Sequence, residues 1–431
     1  MGTSQLRVRG LALGALFAVL VAACTSARHA EPARSGSGSS LPSPPAQTGA
    51  RPSPTAQPPA LFTIAATGDL LVHDAVAARA ERYGARTGSA YDFRPMLDPV
   101  RPALTAADLA VCHLETPLAP DDRHVSGYPT FSTPRELATA IRAAGYDTCS
   151  VASNHSMDQG SRGVAVTLTA LDRAGVGHSG TARSAAEART AEIHLVHGVR
   201  VGLLAYTYGL NGGDSRPAGQ PWLVNFISAQ RVLADARAAR RAGAQFVAVS
   251  LHWGQQYQVA ATAEQRALAR TLLASPDVDL LIGSHVHVVQ PVERIGDKYV
   301  LYGLGNFLSN QSARCCPAAT QDGVIAFVDV QRQGGRLVAV RVRYTPTWVE
   351  PGSYRVLPVA ATLDDPAIPA GERAALAASW RRTVAAVTLL GGSAGRPRPD
   401  RVPGSVGARR ADRLTTEQVH GRLAGDQSHW R

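Results

Sequence analysis

Asp69, Glu115, Asn154, His252, His285 and His287 carry side chains that bind divalent metals, and each follows a short apolar run. Gly68-Asp69 comes after the run 62–67, and His113-Leu114-Glu115 after 108–112. Ser153-Asn154-His155, with Asp158 beyond, follows 147–152. His252-Trp253-Gly254 follows 246–251, and Gly283-Ser284-His285-Val286-His287 closes 279–282. A single aspartate after a strand is commonly a helix cap, and a single histidine a satisfied core residue. Five strand ends carrying such groups together point to one site. Mixed imidazole and carboxylate donors suit Mn, Fe or Zn better than Ca or an all-oxygen Mg site. The set serves one ion or two. His285 and His287 lie two apart, which on an extended segment puts both imidazoles on one side. Bound metal acidifies water and polarises a scissile group. His155, adjacent to Asn154, then has the position of a general acid, with Asp158 to orient it. Asp158 has a second reading as the cap of the helix that follows.

The intervening segments determine whether these groups meet. Near-continuous apolar runs at 62–67, 108–114, 147–152, 199–205, 246–251, 279–283 and 299–303 read as strands buried on both faces. Helical patterns at 134–144, 162–174, 228–242 and 263–274 alternate with them, which argues for an α/β architecture. The stretches 299–303, 324–332 and 337–344 lack helices between them and read as antiparallel. The expected fold class is therefore a layered α/β sandwich with mixed sheets in one large domain, residues 61–350. In open α/β sheets ligands bind beyond the carboxyl ends of the strands, where all five loops would lie.

Gly68-Asp69, Asn154-His155 and Gly283-Ser284-His285-Val286-His287 resemble the Gly-Asp, Gly-Asn-His and Gly-His-x-His motifs of calcineurin-like metallophosphatases. The pieces "GDLLVH", "HLETPL", "ASNHSMDQG", "LHWGQQY", "LIGSHVHVVQ" and "LYGLGNF" more closely resemble the poly-γ-glutamate capsule synthesis family called CapA. Two positions depart from the phosphatase pattern. Leu71 stands where the first motif carries a second histidine, with His73 two residues on, and Glu115 replaces a bridging aspartate. The resemblance implies a metallophosphatase-like domain, a capsule synthesis complex, and an anionic polymer such as poly-γ-glutamate as partner. It also implies a leaving-group acid at His155. Two functions compete: an accessory protein that handles or exports the polymer, and a metal-dependent phosphoesterase or hydrolase of the cell envelope. No Gly-x-x-x-x-Gly-Lys-Ser/Thr loop is present, so ATP-driven polymerisation is not expected of this chain.

Arg7 and Arg9 precede an apolar run at 11–23 that ends in Val21-Ala22-Ala23-Cys24. This reads as a signal peptide over 1–24, too short for a permanent membrane span. It resembles a lipoprotein signal, which implies lipidation of Cys24 and an anchor on the extracytoplasmic face of the cell membrane. The Pro/Ser-rich stretch 25–60 has the composition of a disordered tether. Residues 351–431 read as one helix over 372–390 followed by a basic, mobile tail. The formal charge of +11 does not argue for nucleic acid. Of 44 basic residues only Lys298 is a lysine, a bias of codon usage, and eight arginines fall within 394–431. Apart from Cys24 there are Cys112, Cys149, Cys315 and Cys316. The first two lie on expected core strands, as buried thiols or as a disulfide.

Overall fold

The computed structural model describes residues 61–121, 124–390 and 398–400. The signal peptide, Cys24, the tether and most of the basic tail lie outside the described residues. In chain order the first strands are β1 (Phe62–Leu70), β2 (Leu109–Leu114), β3 (Thr148–Ser150) and β4 (Gly177–Ser179). Next come β5 (Glu192–Val196), β6 (Val199–Thr207), β7 (Phe246–His252), β8 (Leu280–Ser284), β9 (Val292–Ile295) and β10 (Lys298–Leu301). Then follow β11 (Asn306–Leu308), β12 (Asp322–Gln333), β13 (Arg336–Val349), β14 (Val356–Pro358) and β15 (Arg398–Pro399).

These strands form two mixed sheets. The first runs β14-β13-β12-β1-β2-β3-β4, with β11 beside β1 and β15 beside β13. The second runs β5-β6-β7-β8-β10-β9. Parallel pairing joins β1 through β4 and β6 through β8, while β12, β13 and β14 pair antiparallel. The expectation of an antiparallel stretch holds for β12 and β13, and in part for 299–303. That segment overlaps β10, which lies in the second sheet, antiparallel to β9 and parallel to β8.

Side-chain alternation explains why the apolar runs are nearly continuous. On β1, Phe62, Ile64 and Ala66 face the core between the sheets, while Ala65 faces the outer core. On β7, Phe246 and Ala248 point inward, and Val247, Val249 and Leu251 point to the helices covering the other face. Phe62 and Phe246 meet edge-to-face across the sheets, ring centroids 6.0 Å apart. The helices Glu136–Ala144 and Gly160–Ala174 bury Leu137, Ile141, Val164 and Leu168 against the first sheet. Ala229–Arg241 and Ala263–Leu273 cover the second sheet, each starting at a side-chain cap, Ser228 and Thr262. The layers are helix, sheet, sheet, helix, as the fold class required.

Cys112 and Cys149 are directly opposite on β2 and β3 and form a disulfide, which resolves the two open readings. The bond ties together the two strands whose next residues include His113, Glu115 and Asn154. Among the described residues Cys315 and Cys316 are free.

Ending the domain at 350 proves too early. Trp348, Leu357, Val359 and Leu376 form a cluster that joins β13 and β14 to the helix Ala370–Thr388. That helix also buries Ala386 and Val387 in the core between the sheets. Its Arg382 makes two hydrogen bonds to the buried carboxylate of Asp322 on β12, at 2.7 and 2.9 Å. The tail is not wholly detached either: β15 pairs with Arg343 and Tyr344, and Asp400 lies 2.6 Å from the Arg343 guanidinium. None of the described helices is long and apolar enough to cross a membrane.

Candidate metal centre

Two glycines fix the approach of the strands that carry the site. A Cβ on Gly68 would stand 1.8 Å from the Gly305 carbonyl, and one on Gly283 would stand 1.9 Å from the Tyr302 carbonyl. Only glycine fits at those crossings. Past Gly68, β1 does not end at Thr67 as the sequence suggested. It continues to Leu70 with an irregularity, so Asp69 lies within the strand, opposite Asn306 on β11 and His113 on β2. His252 is the last residue of β7, and Glu115 follows β2 directly.

His285 and His287 do converge, but not for the expected reason. The segment after β8 is a bend rather than an extended strand, with φ of 93° at His285 and 58° at His287. Left-handed backbone at two non-glycine residues is strained and persists only where the surroundings enforce it. Here the His285 amide donates to Asp69 Oδ1 at 3.3 Å, while His287 Nδ1 lies 3.1 Å from Asp69 Oδ2 and 3.0 Å from Asn306 Oδ1.

All six expected ligands come together. Three overlapping triads form: Asp69 with His113 and His252, Glu115 with His252 and His285, and Asp69 with Glu115 and His287. Within each triad the donor atoms lie within 4.8 Å of one another. Glu115 Oε1 stands 3.9 Å from His252 Nε2 and 3.8 Å from His287 Nε2. Asn154 Oδ1 is 2.8 Å from His252 Nε2, and its amide nitrogen donates to Asn211 Oδ1 at 2.9 Å. Donors at about 2.0–2.2 Å around one ion stand roughly 3.0–3.5 Å apart, close to these separations. His113 was quoted in its motif but left out of the expected ligand set. Its Nε2 lies 2.9 Å from His252 Nδ1, and Ser150 Oγ holds its Nδ1 at 2.8 Å. The sequence signal was its place two residues before Glu115, a spacing that puts both side chains on one side of an extended chain. Asn306, within "LYGLGNF", was also missed as a site residue.

The electrostatics fit a cation. Both Glu115 oxygens and His285 Nδ1 are buried without a hydrogen-bond partner among the described residues, an arrangement costly for polar groups unless something else occupies the space. Burial raises the Glu115 carboxyl well above the carboxylate range, with the charge of His287 opposing. Burial also opposes charge on His287, yet Glu115 and Asp69 overcome it and lift the imidazole to about 9. Burial pushes His113 down to about 4 and His285 to about 3, the latter with the charge of His287 adding. The cluster thus keeps His113, His252 and His285 neutral, as ligands must be, and favours positive charge beside Asp69. These residues fit a divalent metal.

Beside this cluster, His155 Nδ1 lies 2.7 Å from Asp158 Oδ2. The same carboxylate oxygen accepts the Phe131 amide at 2.8 Å. Asp158 is not the helix cap: Gln159 occupies that position, without a side-chain cap bond. A carboxylate can only accept, so Nδ1 carries the hydrogen, and the Asn211 amide nitrogen lies 3.3 Å from Nε2. Phe131 packs edge-on against both His155 and His73, centroids 4.6 and 5.3 Å away. Tyr208 lies against His285 at 4.6 Å and Tyr257 near His287 at 6.2 Å, both partly exposed.

Residues 63–311 match the family model of the bacterial capsule synthesis protein PGA_cap. The chain belongs to this family. The capsule biosynthesis protein CapA of Bacillus anthracis is 25% identical over 311 residues, 70% of this chain and 71% of that protein. The PGA biosynthesis protein CapA of Bacillus subtilis (strain 168) is 25% identical over 215 residues, 49% of this chain. That match spans 56% of the B. subtilis protein. Among solved structures, a 5′-nucleotidase precursor from Thermus thermophilus overlaps 75% of this chain and 59% of its own, with 16% identity and a TM-score of 0.41. The calcineurin-like phosphoesterase YfkN from Bacillus subtilis overlaps 66% of this chain and 90% of its own, with 12% identity and a TM-score of 0.38. The matched span of the capsule synthesis family contains every residue of the cluster and the His155–Asp158 pair.

Proposed function

We propose that this chain is an extracytoplasmic accessory protein of capsule synthesis, lipid-anchored through Cys24, that handles a poly-γ-glutamate-type anionic polymer at its metal centre. The observation that carries the reading is the unpartnered Glu115 carboxylate among Asp69, Asn154, His252, His285 and His287, inside a capsule-synthesis domain. Mn, Fe or Zn suits this mixed donor set, as one ion or two. A divalent ion held there supplies Lewis acidity toward an acyl or phosphoryl oxygen. The protein residues supply the rest. Asp69 and Asn306 orient His287, Ser150 orients His113, and Asn211 holds the Asn154 amide with its oxygen toward His252. The expected experiment is metal-dependent binding of a γ-glutamyl dipeptide to the Mn-loaded protein. Equal binding after chelation would remove this reading. As for the anchor, Cys24→Ala should release the protein from membranes, and unchanged retention with an unmodified N-terminus would refute it.

The His155–Asp158 pair favours a second reading, a metal-dependent phosphoesterase or hydrolase acting on a cell-envelope substrate. His155 is placed to give a proton from Nε2 to a leaving group, with Asp158 fixing the tautomer. On a phosphoester or γ-glutamyl substrate that the protein turns over, His155→Ala should lower the rate by about 10²-fold. Bound metal should stay unchanged, and Asp158→Asn should lower the rate less. Turnover that His155→Ala leaves intact would exclude His155 as the acid.

A further inference from the structure

At the opposite end of the second sheet lies a cavity of about 320 Å³, lined by Arg240, Arg332, Arg336, Asp279, Pro276 and Leu337 among others. Asp279 immediately precedes β8 and His285 immediately follows it. Six residue steps of near-extended chain, from Asp279 to His285, separate the cavity from the metal centre by roughly 20 Å. The two sites are distinct.

The cavity is built by a turn. β12 and β13 join through Gly334 and Gly335, with φ of 54° and 82°, the positive values that a tight two-residue hairpin requires. This hairpin carries Arg332 and Arg336 to a cavity whose other wall includes Arg240 and Pro276. The acid in the lining is already engaged. Asp279 pairs with Arg240 and accepts the Val247 amide at 2.7 Å. Arg332 donates to the Gly335 carbonyl at 3.2 Å, and among the described residues neither Arg332 nor Arg336 meets a carboxylate. The buried Lys298, whose ammonium donates to Ser275 and Val278 carbonyls at 2.6 Å each, adds a further positive charge nearby. Pro276 and Leu337 provide apolar wall for methylene groups.

We propose that this cavity is a second anion site, which holds carboxylates of a flexible polycarboxylate chain at the end of the fold opposite the metal centre. The proposal rests on the polymer reading above and adds a second point of attachment. A chain long enough to touch both sites binds more tightly than a fragment that touches one.

The test compares the full-length, metal-loaded protein with Arg332→Glu/Arg336→Glu, using a γ-glutamyl dipeptide and a γ-glutamyl decamer as ligands. A second pair, Arg82→Glu/Arg86→Glu on an exposed helix end, matches the change in net charge. The hairpin variant should weaken decamer binding by about tenfold or more, because like charge now faces the ligand. It should leave the dipeptide and the melting temperature unchanged, and the charge-matched pair should leave both ligands unchanged. Arg332→Ala/Arg336→Ala should show a smaller loss in the same direction. Decamer binding that ignores the hairpin variant overturns the cavity while the polymer reading stands. An equal loss in the charge-matched pair overturns it as a net-charge effect. Loss of binding to anionic vesicles with decamer binding retained reassigns the cavity to lipid and overturns it too. A dipeptide that binds without metal strikes at the polymer reading instead.

Discussion

Asp69→Asn and His285→Ala should each strip the purified protein of divalent metal, lowering affinity by at least about 100-fold, while His124→Ala should leave it unchanged. Asp69 is buried and central to the cluster: its oxygens face the His285 amide and His287 Nδ1, and two of the three triads include it. Converting it to asparagine removes a negative charge that opposes the ion's positive charge and turns one oxygen into a donor aimed at other donors. Loss of an outer partner of a metal ligand already costs 10–100-fold in affinity, and loss of a ligand itself costs more. His285→Ala removes an imidazole whose Nδ1 is unpartnered and whose burial keeps it neutral and ready to bind. His124, by contrast, is exposed and bonded to Asp121 outside the cluster. Metal analysis after dialysis, with titration of Mn into each variant, measures this directly. Wild-type metal content in both variants would mean that the cluster is not a metal centre.

A chain ending at residue 350 should fail to fold cooperatively, whereas one ending at 390 should melt in a single transition. The shorter chain loses the helix Ala370–Thr388 and β14, which exposes Trp348 and removes Val387 and Leu376 from the core. It also leaves the carboxylate of Asp322, 3% exposed, without Arg382. Breaking a buried pair by removing one partner costs about 3–5 kcal/mol. Arg382 is itself about a third exposed, so Arg382→Ala alone should cost less, about 2–4 kcal/mol. Asp322 pairs with Trp348 on β13, and its neighbour Gly323 bridges to Gly305, which accepts the Asp69 amide. Damage at this helix should therefore lower metal retention as well as stability. Calorimetric melting of the two truncated chains decides the matter: equal, cooperative transitions would restore the boundary at 350.

The sequence by itself determined the layered α/β class, most of the strands and helices, and the side chains that meet at the site apart from His113 and Asn306. Strands buried on both faces need unbroken apolar runs, and the chemistry-bearing residues at their ends stand out against that background. Such patterns are local, so they survive reading one residue after another. Tertiary structure decided what depends on neighbours far along the chain. The left-handed turns at His285 and His287 come from Asp69, more than two hundred residues earlier, and nothing in Ser-His-Val-His announces a bend. The assignment of 299–303 to the second sheet came from pairing with β8, because a strand's partner is not written in its own composition. Cys112 and Cys149 became a disulfide only once β2 and β3 were in register. Asp158 took the role of His155's partner over that of helix cap for the same kind of reason. Its carboxylate could satisfy either group, and the position of the Phe131 amide, brought in by another loop, fixed which one it faces.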